Sequence, residues 1–250
     1  MQVEYLSQCD STNRWAKENY RQLMPYGAVY TMNQTGGRGR LGRRWENAAD
    51  QALYYTAVVS MPMVQPETLP QLVSLVASDA LRQQYGAECQ IKWPNDLLLQ
   101  GKKIAGILCE STVDPKNPDV RVWVLGIGIN LAQPKEHFDA QDLPHAGSLA
   151  MAGYTVDIKR DVPELVARIT AGLAHRLENF AQEGFAPLRK DYCAACVNLG
   201  RRVTWQNGET TAAGKCADVD EQGRLVVETD AETREIFTGE VSVQGIYGAL

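Results

Sequence analysis

Histidine is scarce in this chain of 250 residues: three residues, at 137, 145 and 175, in none of the spacings that hold a metal. The six cysteines, at 9, 89, 109, 193, 196 and 216, form no pairing framework. The single C-x-x-C, Cys193 to Cys196, lacks a second pair or a nearby histidine to complete a zinc site, so it reads as two reduced thiols on a helix. Such cysteine usage fits a reduced, cytoplasmic protein. No apolar run approaches the roughly 20 residues of a membrane span. The opening Met1-Gln2-Val3-Glu4-Tyr5 has neither the basic nor the apolar region of a signal peptide. Net positive charge is lacking too. A formal charge of −5 and a pI near 5.3 argue against nucleic acid as the main partner. There are no repeats, low-complexity tails or heptads. What remains, 44% hydrophobic and 22% charged residues, is an ordinary globular chain with a core.

Against this acidic background one stretch stands out, Gln34-Thr35-Gly36-Gly37-Arg38-Gly39-Arg40-Leu41-Gly42-Arg43-Arg44-Trp45. Four glycines and four arginines fall between Gly36 and Arg44. Glycine at that density opposes helix and central strand, and so many guanidinium groups are not buried without anionic partners. The expectation is a mobile cationic loop that closes over phosphate, bound by planar arginine forks and bare backbone amides. A solvated surface loop and an RNA-touching element are the competing readings.

The remaining chain alternates strands and helices. Val3–Leu6 reads as a strand, followed by Asp10-Ser11-Thr12-Asn13 and a helix to about Leu23. Those polar residues either cap the helix or hydrogen-bond a ligand at its start. Strands follow at Ala28–Thr31 and Leu53–Val59. Leu69, Leu72, Val73, Val76, Ala77, Ala80 and Leu81 then mark a core helix, with Pro66 and Pro70 at its start and Gly86 at its end. Lys92-Trp93-Pro94-Asn95-Asp96 leads into a hairpin that turns at Gly101-Lys102, with Asp96 and Lys103 near its base. These two form either a cross-strand ion pair or part of a reaction site. In Val122–Asn130, Leu125, Ile127 and Ile129 face one way, while Gly126, Gly128 and Asn130 face the other. That second face, with Gly106, reads as a flat slot floored by glycine, or as room for a packed helix. Residues 133–153 are irregular. Asp161-Val162-Pro163-Glu164 reads as a helix start with Asp161 as N-cap, and a last helix runs from about Ala186 to Val197. From Gly200 short strands and polar turns, among them Asn207-Gly208, predict a small all-β barrel that docks on the larger domain.

Ser11-Thr12-Asn13, Gln34 through Gly42, Trp45, Lys92 through Asp96, Lys103-x-x-Gly106 and Gly126-Ile127-Gly128-Ile129-Asn130 together resemble, in order, the motifs of the biotin protein ligase family. The resemblance implies an α+β fold, with a mixed-sheet catalytic domain over residues 1–199 and an SH3-like β barrel over residues 200–250. Some bacterial members carry an N-terminal DNA-binding domain. The family's first strand falls at Val3 here, so the resemblance implies a ligase that binds no DNA. It further implies activation of biotin by ATP with Mg²⁺ to biotinyl-5′-AMP, then transfer to a lysine of a biotin carboxyl carrier domain of a carboxylase. Some members dimerise by sheet extension, which leaves a homodimer open.

The roles that the resemblance carries over are these. Lys103, Arg38 and Asp96 form the catalytic set: the first two sit between the biotin carboxylate and the α-phosphate, and Asp96 orients the acceptor lysine. Biotin is expected against Ser11, Thr12, Asn13, Gln34, Gly37, Arg38, Gly39, Arg40, Lys103, Gly106, Gly126 and Gly128. ATP and the adenylate are expected against Arg38, Arg40, Arg43, Trp45, Asn95, Lys103 and Asn130, with Trp45 covering the adenine. The rivals are a lipoate–protein ligase with the same adenylation chemistry, a nucleic-acid-binding protein built on the arginine loop, and an inactive biotin sensor.

Overall fold

The computed structural model describes residues 2–207, 210–237 and 239–246. The chain order is β1 (Gln2–Leu6), α1 (Thr12–Leu23), β2 (Tyr26–Thr31), β3 (Ala52–Val59), α2 (Leu69–Tyr85), β4 (Gln90–Lys92), β5 (Asp96–Leu99), β6 (Lys102–Asp114), β7 (Asn117–Asn130), α3 (Lys135–Asp139), α4 (Ile158–Glu183) and α5 (Arg189–Ala195). Five strands follow, β8 (Arg202–Asn207), β9 (Thr210–Val219), β10 (Leu225–Glu228), β11 (Thr233–Ile236) and β12 (Val241–Val243).

The first seven strands form one mixed sheet in the order β1-β2-β3-β7-β6-β5-β4. β1 and β2 are parallel and the other pairs antiparallel. The register aligns Tyr55, Ile127 and Ile107 across three central strands, and Leu53, Ile129 and Ala105 beside them. This apolar face is buried with Leu72, Val73 and Val76 of α2 and Leu165, Ile169 and Leu173 of α4 in one core. The two helices approach closely, since a Cβ on Gly172 would stand 2.9 Å from Val76 Cγ1. α2 ends where the periodicity predicts: Gly86 takes φ +70° and donates its N–H to the Arg82 carbonyl at 2.8 Å.

The opposite face is half covered. Ala16, Tyr20 and Leu23 of α1 pack on Val29, Val58, Val122 and Val124. Further along the same strands Gly106, Gly128 and Tyr54 lie in one row, and Leu108, Gly126 and Thr56 in the next. α1 therefore covers the valine end of this face, and only its first turn, at Asn13, reaches the glycine end.

Two helix boundaries differ from the sequence reading. α4 begins at Ile158, not at Asp161. Asp157 is its N-cap and accepts from Arg160 N, while Asp161 Oδ2 accepts from Asp157 N at 2.9 Å. The two aspartates thus cap reciprocally one turn ahead of the expected position, and Pro163 lies inside the helix. The last helix is shorter than predicted, a 3₁₀ turn at Ala186–Leu188 followed by α5. The irregular 133–153 connection holds the five-residue α3.

The C-terminal strands form a five-stranded antiparallel sheet, β11-β10-β9-β8-β12, consistent with an SH3-like domain. β11 and β12 are its edges, so no closed ring of hydrogen bonds forms among the described residues. The expected Asn207-Gly208 turn includes Gly208, outside the described residues. Val203, Cys216, Val219 and Leu225 belong to the same buried core as the large sheet. The Gly223 carbonyl accepts both Trp93 Nε1, at 2.9 Å, and Gln71 Nε2, at 3.1 Å. Among the described residues no helix is long and apolar enough to cross a membrane.

Candidate active site

A cavity of about 370 Å³ opens on the glycine end of the large sheet. Every residue given a catalytic or binding role from the sequence lines it except Gly37. Gly37 instead supports the loop: a Cβ there would meet the Trp45 carbonyl oxygen at 2.5 Å and Gln34 Nε2 at 2.7 Å.

The start of α1 forms one wall. Ser11, Thr12, Asn13 and Gln34 are buried. Ser11 caps the helix by accepting from Arg14 N. Thr12 N and Thr12 Oγ1 both donate to Gln34 Oε1, at 2.8 and 3.1 Å. Thr56 Oγ1 lies 2.7 Å from Asn13 Oδ1, and Asn13 Nδ2 donates to the Leu108 carbonyl and to Glu110 Oε2. The amide of Asn13 is therefore fully engaged with the sheet. A Cβ on Gly126 would lie 2.2 Å from Asn13 Oδ1, so Gly126 makes room for Asn13 and offers no bare floor to a ligand. Burial alone pushes the Glu110 carboxyl up, but hydrogen bonds from Lys17 and Asn13 and the charges of Lys17 and Arg38 outweigh it and hold the group below its usual range.

The arginine loop is folded as a hairpin. Arg38 and Arg44 pair as an isolated bridge, Gly39 N donates to the Arg43 carbonyl at 2.7 Å, and Arg40–Gly42 form a 3₁₀ turn. Leu41, at φ 57°, and Gly42, at φ +75°, take the left-handed conformations that turn it. Its arginines border the cavity. Arg40 donates to Asn95 Oδ1 at 2.9 Å and to the Gly239 carbonyl at 3.2 Å, and Arg43 pairs with Glu240 at 2.5 Å. The C-terminal sheet thus anchors the loop, which the sequence did not reveal. Burial pushes the Arg40 guanidinium down, against the opposing charges of Asp96 and Glu240. Arg38 is exposed and makes no ion pair or side-chain hydrogen bond among the described residues.

Trp45 corrects the picture of an open slot. Its indole lies on the remaining glycine floor: a Cβ would meet Trp45 Cζ3 at 2.6 Å on Gly106 and Trp45 Cε2 at 2.8 Å on Gly128. Lys103 Nζ stands 5.4 Å from the indole centroid and 2.6 Å from Asp96 Oδ1. The cross-strand ion pair is therefore formed, with both members facing the cavity. Asn95 is held by Nδ2 donating to the Ile107 carbonyl, and Asn130 by Nδ2 donating to the Gly147 carbonyl while it accepts from Gln133. Lys92, Tyr54, Glu240 and the segment around Phe138 also line the cavity; Lys92 stood in a motif of the sequence but none of these was given a site role there. Lys92 and Glu240 carried a signal of their own, as charged groups beside the Trp93-Pro94 and Gly239 turns. Among the described residues no group of three His, Cys, Asp or Glu side chains is placed to hold a metal.

A mixed sheet with a cationic cavity at its glycine end, closed by a loop that a C-terminal β sheet anchors, defines an α+β enzyme scaffold for a small anionic substrate. Residues 5–130 match the biotin/lipoate A/B protein ligase family, and residues 199–244 match the biotin protein ligase C-terminal domain. The chain belongs to this family. It is 32% identical to the biotin–[acetyl-CoA-carboxylase] ligase of Paracoccus denitrificans, over 96% of this chain and 100% of that one. It is 29% identical to the bifunctional ligase/repressor BirA of Escherichia coli (strain K12), over 97% of this chain and 74% of that protein. Among solved structures, the biotin protein ligase from Aquifex aeolicus in complex with biotin and ATP aligns with a TM-score of 0.76 at 29% identity, covering 97% of this chain and 98% of that chain.

Proposed function

We infer that the chain is an ATP-dependent biotin–protein ligase. In the first step a biotin carboxylate oxygen bonds to the α-phosphorus of ATP, and pyrophosphate leaves. In the second an acceptor lysine nitrogen bonds to the acyl carbon, the acyl–phosphate C–O bond breaks, AMP leaves with the electron pair, and the amine gives up a proton. The observation that carries this reading is Lys103, an ammonium at the edge of the glycine floor, in one cavity with Arg38, Arg40 and Arg43. Two anions meet only where cations offset their repulsion, and fixed charges in a cleft that excludes water do so most effectively.

The roles follow from position. Arg38, which makes no ion pair or side-chain hydrogen bond among the described residues, and Lys103, which exchanges Asp96 for the arriving anions, are the charges that turn to the carboxylate and α-phosphate, while Arg40 and Arg43 are tied to the Gly239 carbonyl and to Glu240. Biotin is expected where the Trp45 indole now lies, over Gly106 and Gly128, with Ser11, Thr12 and Gln34 at its polar end. The indole then moves aside and covers the nucleotide. Mg²⁺ would accompany the ATP phosphates and offset part of their charge. Asp96 takes the acceptor amine. The partner is a carboxyl carrier domain of a carboxylase, the setting is the cytoplasm, and the domain division is residues 1–199 and 200–250, which the separate family match at 199–244 supports.

The reading is tested by incubating the protein with ATP and either biotin or lipoate, and separating the products. Biotinyl-AMP is expected. Lipoyl-AMP alone would show that the substrate has been assigned wrongly.

A further inference from the structure

Asp96 sits on β5, between β4 and β6, with a lysine on each neighbouring strand. From β6 comes Lys103, whose side chain keeps 27% of its surface exposed. On β4, Lys92 is the register partner of Asp96, and it is only 7% exposed. Burial pushes the Lys92 ammonium down and the charge of Asp96 pulls it up, so the lysine feels the carboxylate directly. A buried ammonium is expensive to desolvate, and an apolar side chain would fill the same space at less cost. Packing alone therefore does not account for a lysine at this place. The neighbouring cations have other work, Arg40 on Asn95 and the Gly239 carbonyl and Arg43 on Glu240.

The two lysines differ in what they can do. Lys103 is partly exposed, over the indole and at the floor where the substrate anions are expected. As those anions arrive it has a stronger attraction than Asp96 alone. Lys92 also borders the cavity but is far less exposed, set on β4 opposite Asp96. We propose that Lys92 is a positioning residue for the transfer step, a fixed counter-charge that holds Asp96 in place while Lys103 turns to the carboxylate and α-phosphate. The proposal rests on the roles given above to Lys103 and Asp96. It assigns Lys92 no contact with biotin or ATP.

The two half-reactions of the full chain separate this from other roles. Adenylate formation is measured from biotin and ATP without acceptor, and transfer is measured in a single turnover from preformed biotinyl-AMP to a carrier domain. Lys92→Met keeps the stem and removes the charge. It is expected to slow transfer by about tenfold or more while leaving KM for biotin and ATP within about twofold. Lys92→Arg is expected to restore most of the transfer rate. In the Asp96→Asn background, Lys92→Met is expected to cost no more than about a further twofold, because its effect passes through Asp96. That double variant removes the carboxylate together with the lysine opposite it, so it keeps the comparison possible if the single variant fails to fold. A rise in KM for ATP as the main effect, an equal loss in the Asp96→Asn background, or an arginine variant as poor as the methionine one would each overturn the proposal. A wild-type protein that makes no biotinyl-AMP overturns the reading of the site itself. A wild type that makes and transfers it, beside an unimpaired Lys92→Met, overturns the part given to Lys92 alone.

Discussion

At the residue scale, the glycines of the site turn out to have different causes. Gly106 and Gly128 lie under the Trp45 indole, whereas Gly126 lies under the Asn13 amide. The alternation of β7 predicted a bare face, and it is bare of side chains. What stands on it was not legible, because Trp45 and Asn13 come from distant segments and no spacing links them to β7. Gly126→Ala would drive a methyl into the Asn13 amide and disturb its bonds to Thr56 and Glu110. We expect a loss of about 1–3 kcal/mol, read from the urea midpoint. Lys103→Ala is expected to leave the fold intact and to slow adenylate formation by about 100-fold or more, as loss of a charge-stabilising donor does elsewhere. Unchanged turnover would remove Lys103 from the chemistry.

At the scale of elements, α1 is fastened to the β6–β7 hairpin by charge as well as by its apolar stripe. Lys17 Nζ lies 2.6 Å from Glu110 Oε1, and Arg21 pairs with Asp114 at 2.5 Å. The Glu110 carboxyl is held below its ordinary range in the folded chain. Its contribution is therefore complete above the unfolded value of about 4.3 and is lost as pH falls through the lower folded value. Between those limits the wild type should lose stability on acidification faster than Glu110→Gln, as measured by thermal melts across pH. Equal slopes would separate Glu110 from the acid response. α1 and α2 were legible from caps and periodicity. The start of α4 was not, since Asp161 and Pro163 imitate a helix start while Asp157, the actual cap, sits in an irregular stretch. α3 is too short to show a period.

At the scale of the whole molecule, the C-terminal sheet completes both the core and the site. Its Gly223 carbonyl takes the Trp93 indole N–H, and its Gly239–Glu240 segment takes Arg40 and Arg43. The sequence showed a change of pattern at residue 200 and a β-rich tail too small for a core of its own. It did not show that the tail reaches the arginine loop, because strand order and docking depend on contacts between residues far apart in the chain. Removing residues 200–250 would expose Trp93 and the apolar groups beside it. We expect the remaining chain to lose its cooperative melt by circular dichroism. A truncated chain that melts sharply would show that the large sheet stands alone.

The central claim is that this cavity joins a biotin carboxylate to the α-phosphate of ATP with Lys103 between them. It is tested most directly by quenching a reaction of the protein with biotin and α-labelled ATP, without acceptor, and separating the labelled products. Wild type is expected to form biotinyl-AMP, and Lys103→Ala of equal thermal stability almost none. Biotinyl-AMP formed equally by both proteins, or by neither, would contradict it.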